Sequence, residues 1–167
     1  IDTHCHLDFP EFAEQQDAVV QRARDAGVKR MVTISTHASK FAQVKAVAEK
    51  YPDVFCTAGV HPHEASSFND SDLAIIAKAA ENIKCVAIGE IGLDYHYEHS
   101  TRLQQKKVLE QQLELAAGLG KPAVIHSREA EQDLLHILKK YALSAKSAPG
   151  VLHCYTGTME FARQCLE

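Results

Sequence analysis

In Pro122-Ala-Val-Ile-His-Ser-Arg128 a short apolar run, the expected strand Pro122 to His126, ends on a histidine, and an amphipathic stretch from Glu131 to Leu143 follows almost at once. Strand then helix is one βα unit, and the same rhythm recurs outward from it in both directions. Further strands are expected at Ile1 to Leu7, Arg30 to Ser35, Val54 to Val60, Cys85 to Ile91 and Val151 to Tyr155. Helices are expected at Glu11 to Ala26, Ser39 to Tyr51, Asp70 to Glu81, Thr101 to Leu119 and Thr158 to Glu167. Such an alternation argues a parallel sheet, because parallel neighbours need a crossover that a helix supplies. Local signals agree. Gly27 stops the first helix, Pro52 the second, and Thr101 with Gln104 forms a capping-box signature. No repeat beyond this rhythm, low-complexity tract or linker interrupts the chain, so residues 1–167 read as a single domain. His61 to Asn69 is the one longer loop.

Composition sets the outer limits. A chain of 167 residues that is 46% hydrophobic and 24% charged has ordinary globular usage, which excludes global disorder. At that length it buries roughly two-thirds of its unfolded surface, enough for a core without staples. No apolar run approaches the roughly 18 to 20 residues of a membrane span, and no signal-peptide pattern opens the chain. The expected setting is the cytoplasm and the expected state a monomer. Cys5, Cys56, Cys85, Cys154 and Cys165 form an odd set without a CxxC pair, and four of them fall inside apolar segments, which reads as reduced core cysteine and not as a disulfide framework. A net charge of −4 argues against a broad basic surface for duplex DNA, but not against a nucleic-acid substrate held through metal ions.

Ten histidines are the unusual number, and their positions are informative. His4 and His6, His61 and His63, Glu90, His126 and His153 all stand at carboxyl ends of expected strands. A period of two puts His4 and His6 on one face and Cys5 on the other. Singly, each is an ordinary core or surface histidine; together they form a positional pattern. Glu90, among the glycines and aliphatics of Val86-Ala-Ile-Gly-Glu-Ile-Gly92, needs a partner, and a cation is the natural one. Four imidazoles and one carboxylate suit a borderline divalent ion, and the two carboxylate oxygens can bridge two ions about 3.5 to 4 Å apart. That is hydrolase chemistry. A Ser-His-Asp triad lacks its GxSxG elbow, and Gly89-Glu-Ile-Gly92 lacks the spacing of a phosphate loop. Asp94 and Tyr95 are further candidates to line the site. His96, Tyr97 and His99 read as loop surface, His136 as a structural or exposed helix residue, and His37 as peripheral.

Five motifs, Ile1-Asp-Thr-His-Cys-His-Leu7, Ala58-Gly-Val-His-Pro-His63, Ile88-Gly-Glu-Ile-Gly-Leu-Asp-Tyr95, Pro122-Ala-Val-Ile-His-Ser-Arg128 and Val151-Leu-His-Cys-Tyr-Thr-Gly157, run in order along the chain. In this they resemble the TatD family of metal-dependent deoxyribonucleases. The resemblance implies a TIM-type (β/α)8 barrel, of which about six βα units lie in this chain. It also implies hydrolysis of DNA phosphodiesters, from 3′ ends or in single strands, with two divalent ions (Mg, Mn or Zn). The family's metal ligands map onto His4, His6, Glu90, His126 and His153, with Glu90 bridging and with Glu90, His126 and His153 carrying catalysis. His61, His63 and Arg128 fall on the substrate side, near the phosphate.

One family motif, an acidic stretch on a later strand that gives an Asp to the metal and the attacking water, has no counterpart up to Glu167. The functional polypeptide is therefore expected to continue for roughly 80 to 100 residues, from the usual size of this barrel. Ile1 to Leu7 and Val151 to Tyr155 are expected to present open edges, which would leave the 167-residue chain alone poorly soluble or inactive. Three other functions compete. An amide, ester or lactone hydrolase of the same superfamily usually bridges its metals with a carboxylated Lys where Glu90 stands here. Deacylation of mischarged tRNA is also an ester cleavage. A non-catalytic metal-binding fragment is the third.

Overall fold

A computed structural model describes residues 1–144 and 150–166. Six strands, β1 (Asp2–Cys5), β2 (Met31–Thr33), β3 (Val54–Ala58), β4 (Cys85–Asp94), β5 (Ala123–Arg128) and β6 (Gly150–Leu152), form one sheet in sequence order, every neighbouring pair parallel. Six helices alternate with them: α1 (Gln16–Asp25), α2 (Phe41–Lys50), α3 (Asp70–Ala80), α4 (Arg102–Leu119), α5 (Glu131–Ser144) and α6 (Met159–Leu166). Sequential order without a strand-order reversal is barrel topology, not that of a doubly wound sheet. The sheet curls far enough for its two ends to meet: the ring of His4 on β1 stacks on that of His153, the residue after β6, with centroids 3.7 Å apart. What is described is a curled part of a (β/α) barrel. No helix among the described residues is long and apolar enough to cross a membrane.

The main core lies between sheet and helices, where Val54, Ile88, Ile91 and Leu93 meet Val44, Ile76, Leu109 and Leu113. A smaller cluster of Ile34, Ala87 and Val124, with Val32 and Val151 against it, forms a second apolar layer. Most elements lie where the hydrophobic period puts them, but several ends differ. The stretch Glu11 to Ala26 divides into a 3-10 turn at Pro10–Phe12 and α1, and Ser39 to Tyr51 opens with a 3-10 turn at Ala38–Lys40 before α2. β1 stops at Cys5 because the Leu7 N–H turns to the Thr33 hydroxyl, 3.2 Å away, and not to a strand partner. β6 stops at Leu152, and two residues later Cys154 takes a left-handed φ of 44° that leaves it exposed, outside the core expected for it. The end of the last expected helix, Glu167, lies outside the described residues.

β4 is longer than expected. It runs past Ile91 because Gly92, Leu93 and Asp94 stay in register with His126, Ser127 and Arg128 of β5. Gly92 makes this continuation possible: its φ is 150°, and a Cβ built there would stand 2.0 Å from the His126 carbonyl oxygen. Only a residue without a side chain fits such a backbone at such a distance. Between Ile88 and Ile91 the register shifts, and within that irregularity the Glu90 N–H donates to the Ser35 carbonyl at 2.7 Å. The sheet thus sets Glu90 and Asp94 on one strand, at its carboxyl end.

Candidate metal centre

Glu90 is 3% exposed, and histidines from four strand ends surround it. His153 Nε2 lies 2.5 Å and His126 Nδ1 3.1 Å from Glu90 Oε1, while His4 Nε2 lies 3.4 Å from Oε2. His61 Nε2 approaches Oε1 at 3.6 Å. Two overlapping groups of ligand atoms result, His4 with Glu90 and His153, and His61 with Glu90 and His126, each with its atoms within 4.8 Å of one another. Glu90 belongs to both. His6 completes the first side, its Nε2 3.2 Å from that of His4.

The donor set fits a divalent ion. Bonds of about 2.0–2.2 Å at tetrahedral or octahedral angles put ligand atoms roughly 2.8–3.6 Å apart. The pairs His4 with His6 and His4 with Glu90 fall in that interval. Moreover Nδ1 of both His4 and His6 is buried without a hydrogen-bond partner, so the polar bonds of these rings are concentrated at Nε2, where the two rings converge. Burial lowers the pKa of His4 to about 4 and that of His61 to about 3, each against the opposing pull of Glu90. Both are neutral near pH 7, the form in which imidazole binds a metal. Burial works to raise the Glu90 pKa, but hydrogen bonds from His126 and His153 outweigh it and keep the carboxyl well below its usual range.

His126 stands between two carboxylates, with Nε2 3.1 Å from Asp94 Oδ2. Burial alone would depress its pKa; the bonds to Glu90 and Asp94 prevail and raise it. With a metal beside Nδ1, Asp94 would fix the ring as carboxylate partners of metal-bound histidines do. Asp94 is itself fully buried, and its Oδ1 accepts the N–H groups of His96 at 3.0 Å and Tyr97 at 2.9 Å. Burial opposes its ionisation, yet these backbone bonds with His63 and His126 bring its pKa down to about 2. The sequence offered a signal for it: Asp94 has the strand parity of Glu90, four residues on.

His61 differs from the other rings. Its Nδ1 accepts the N–H of His63 at 3.2 Å. A backbone amide only donates, so the proton of neutral His61 sits on Nε2, and that atom is a donor into the pocket. His63 lies one layer out, with Nε2 2.9 Å from Asp94 Oδ2. Arg128, exposed at the end of β5, holds its guanidinium 5.0 Å from the Tyr97 ring centroid and has no carboxylate within ion-pair distance among the described residues. His37 turns away to pair with Glu64 at 3.2 Å.

Two residues that no motif flagged hold this geometry from behind. Gln112, fully buried on α4, accepts the Val60 N–H at 2.8 Å and donates to the Val60 carbonyl at 3.1 Å, fixing the backbone just before His61. Gln105 does the same for Asp94, at 2.8 and 2.9 Å. The pair stands two turns apart on a face otherwise apolar through Val108, Leu109 and Leu113, which is the mark sequence reading could have used. Gln112→Leu leaves both Val60 groups unpaired and is expected to cost about 2 kcal/mol, read from the urea midpoint.

The wider comparisons agree with this arrangement. The sequence profile of the family described as TatD related DNase matches residues 1–167. A 3'-5' ssDNA/RNA exonuclease TatD from Erwinia tasmaniensis is 41% identical over 167 residues, 99% of this chain and 63% of its own. YabD of Bacillus subtilis, named as an uncharacterized metal-dependent hydrolase, is 35% identical, with 99% of this chain and 64% of its own length covered. The crystal structure of YjjV, a TatD homolog from Escherichia coli K12, superposes with a TM-score of 0.90 at 36% identity, over 99% of this chain and 63% of that one. The chain thus spans a little under two-thirds of these relatives. Profile, relatives, parallel strand order and the histidines around Glu90 point the same way: the chain belongs to the TatD family.

Proposed function

We propose that the polypeptide is a metal-dependent phosphodiesterase acting on single-stranded DNA from its 3′ end, with two divalent ions held by His4, His6, Glu90, His126 and His153. One observation carries the reading: a single buried carboxylate, Glu90, that belongs to both candidate ligand groups, with His4 and His153 on one side and His126 on the other, as a carboxylate bridging two ions would. Ions so held would supply Lewis-acid polarisation of the phosphoryl oxygen and a water of lowered pKa.

The chain's own groups do the rest. Asp94 holds the His126 ring, and His63 through its backbone amide keeps the His61 proton on Nε2, facing the pocket as a donor to a phosphate or leaving-group oxygen. Arg128, without a carboxylate partner among the described residues, offers its paired N–H groups to phosphate oxygens. Arg128→Ala is expected to raise KM about tenfold, ~1.4 kcal/mol, and to leave metal content unchanged. Metal loss at constant KM would instead move Arg128 to the ligand side.

The deciding experiment follows release of nucleotides from 3′- and 5′-labelled single strands by protein stripped with chelator and reloaded with Mg, Mn or Zn. Activity should vanish on stripping and return on reloading. An aminoacyl ester run in parallel tests deacylation, and stoichiometric metal without turnover on either substrate would leave a metal-binding protein only.

A further inference from the structure

Beside the histidines, on the loop after β4, lies a group of rings that the reading above does not use. Tyr97 is 53% exposed. Its ring is nearly parallel to that of His99, at 17° and 6.0 Å between centroids, and edge-on to His63 at 5.7 Å. The Arg128 guanidinium stands 5.0 Å from the same ring. Two features separate this from an ordinary surface tyrosine. The loop is pinned by Asp94, whose Oδ1 takes the Tyr97 N–H while its Oδ2 orients His126, so ring and reaction site share one anchor. The Arg128 guanidinium over that ring has no carboxylate within ion-pair distance among the described residues, so an aromatic ring and a phosphate-seeking fork lie against each other. A nucleotide carries the matching pair, a flat base and an anionic phosphate.

We propose that Tyr97, supported by His99 and flanked by Arg128, is a stacking platform for the nucleobase adjoining the scissile phosphate of a single strand. The proposal rests on the phosphodiesterase reading and deepens it. It makes the enzyme favour unpaired ends, because a base within a duplex has both faces covered.

The test uses the full, metal-loaded chain and two deoxyoligonucleotides, one with ordinary bases and one with abasic tetrahydrofuran residues at the 3′ end. Tyr97→Ala should raise KM for the first roughly tenfold, in line with typical base–aromatic stacking, and leave KM for the second unchanged. Tyr97→Phe should behave as wild type. Equal effects on both substrates, or none on either, would overturn the platform. Anisotropy of the same strands with a non-hydrolysable 3′ linkage reads the base preference without turnover. If that preference is present in wild type and lost in Tyr97→Ala while neither natural substrate is cut, the nuclease reading fails and the platform stands. A ribo strand of the same sequence shows which sugar accompanies the base.

Discussion

Glu90→Gln is expected to reduce turnover roughly a thousandfold, ~4 kcal/mol of transition-state stabilisation, while the metal-free protein loses far less in folding stability. Gln preserves volume and one carbonyl acceptor, so the packing around the site survives. It removes the buried charge toward which His153 at 2.5 Å and His126 at 3.1 Å point. Burying an amide also costs less than burying a carboxylate, which offsets part of the lost hydrogen bonding. At the proposed two-ion site the anion between the cations would be lost, and metal stoichiometry should fall from two toward one. Metal analysis beside single-turnover rates checks both halves. Full occupancy with unchanged turnover would remove the bridging role.

Gly92→Ala is expected to destabilise the fold by about 4 kcal/mol, the sum of backbone strain and overpacking. The added methyl would meet the His126 carbonyl oxygen at 2.0 Å, with the carbon and nitrogen of the same residue at 2.8 and 2.9 Å. These are backbone atoms of β5, a strand paired on both sides, by β4 and β6, and they cannot rotate aside. Either β4 parts from β5 or φ moves from 150°, and both displace His126 from Glu90. Gly27 provides the control: its φ is 88°, but a Cβ there meets nothing within 4 Å. Gly27→Ala should therefore cost only about 1 kcal/mol of conformational strain. Urea midpoints of the two variants compare the terms, and equal losses would show that the clash is relieved.

The sheet was legible because its strands are apolar runs separated by amphipathic ones, and that pattern is written in side chains. Strand ends were less so. Gly92 resembles a stop, and only the pairing with His126 shows that β4 passes through it. The residues gathered around Glu90 could be found because each is a costly polar group at the same place in its βα unit. Asp94 stood one step further along an extension the sequence concealed. Gln105 and Gln112 were missed for another reason: their partners are backbone groups, which have no residue type to recognise. Cys154 was placed in the core by its apolar neighbours, but the turn after His153 points it into solvent.

Those glutamines also set a local unit of motion. The amide protons of Val60 and Asp94 are bonded to side chains of α4, so opening of neighbouring strands does not by itself release them. Their exchange with deuterium should follow the undocking of that helix. Protection at these two amides would rise and fall together, with a common free energy of opening, although one follows β3 and the other ends β4. An excursion of α4 away from the sheet would then loosen His61 and Asp94 in one event, making a helix on the outer side the clock for disorder on the inner one.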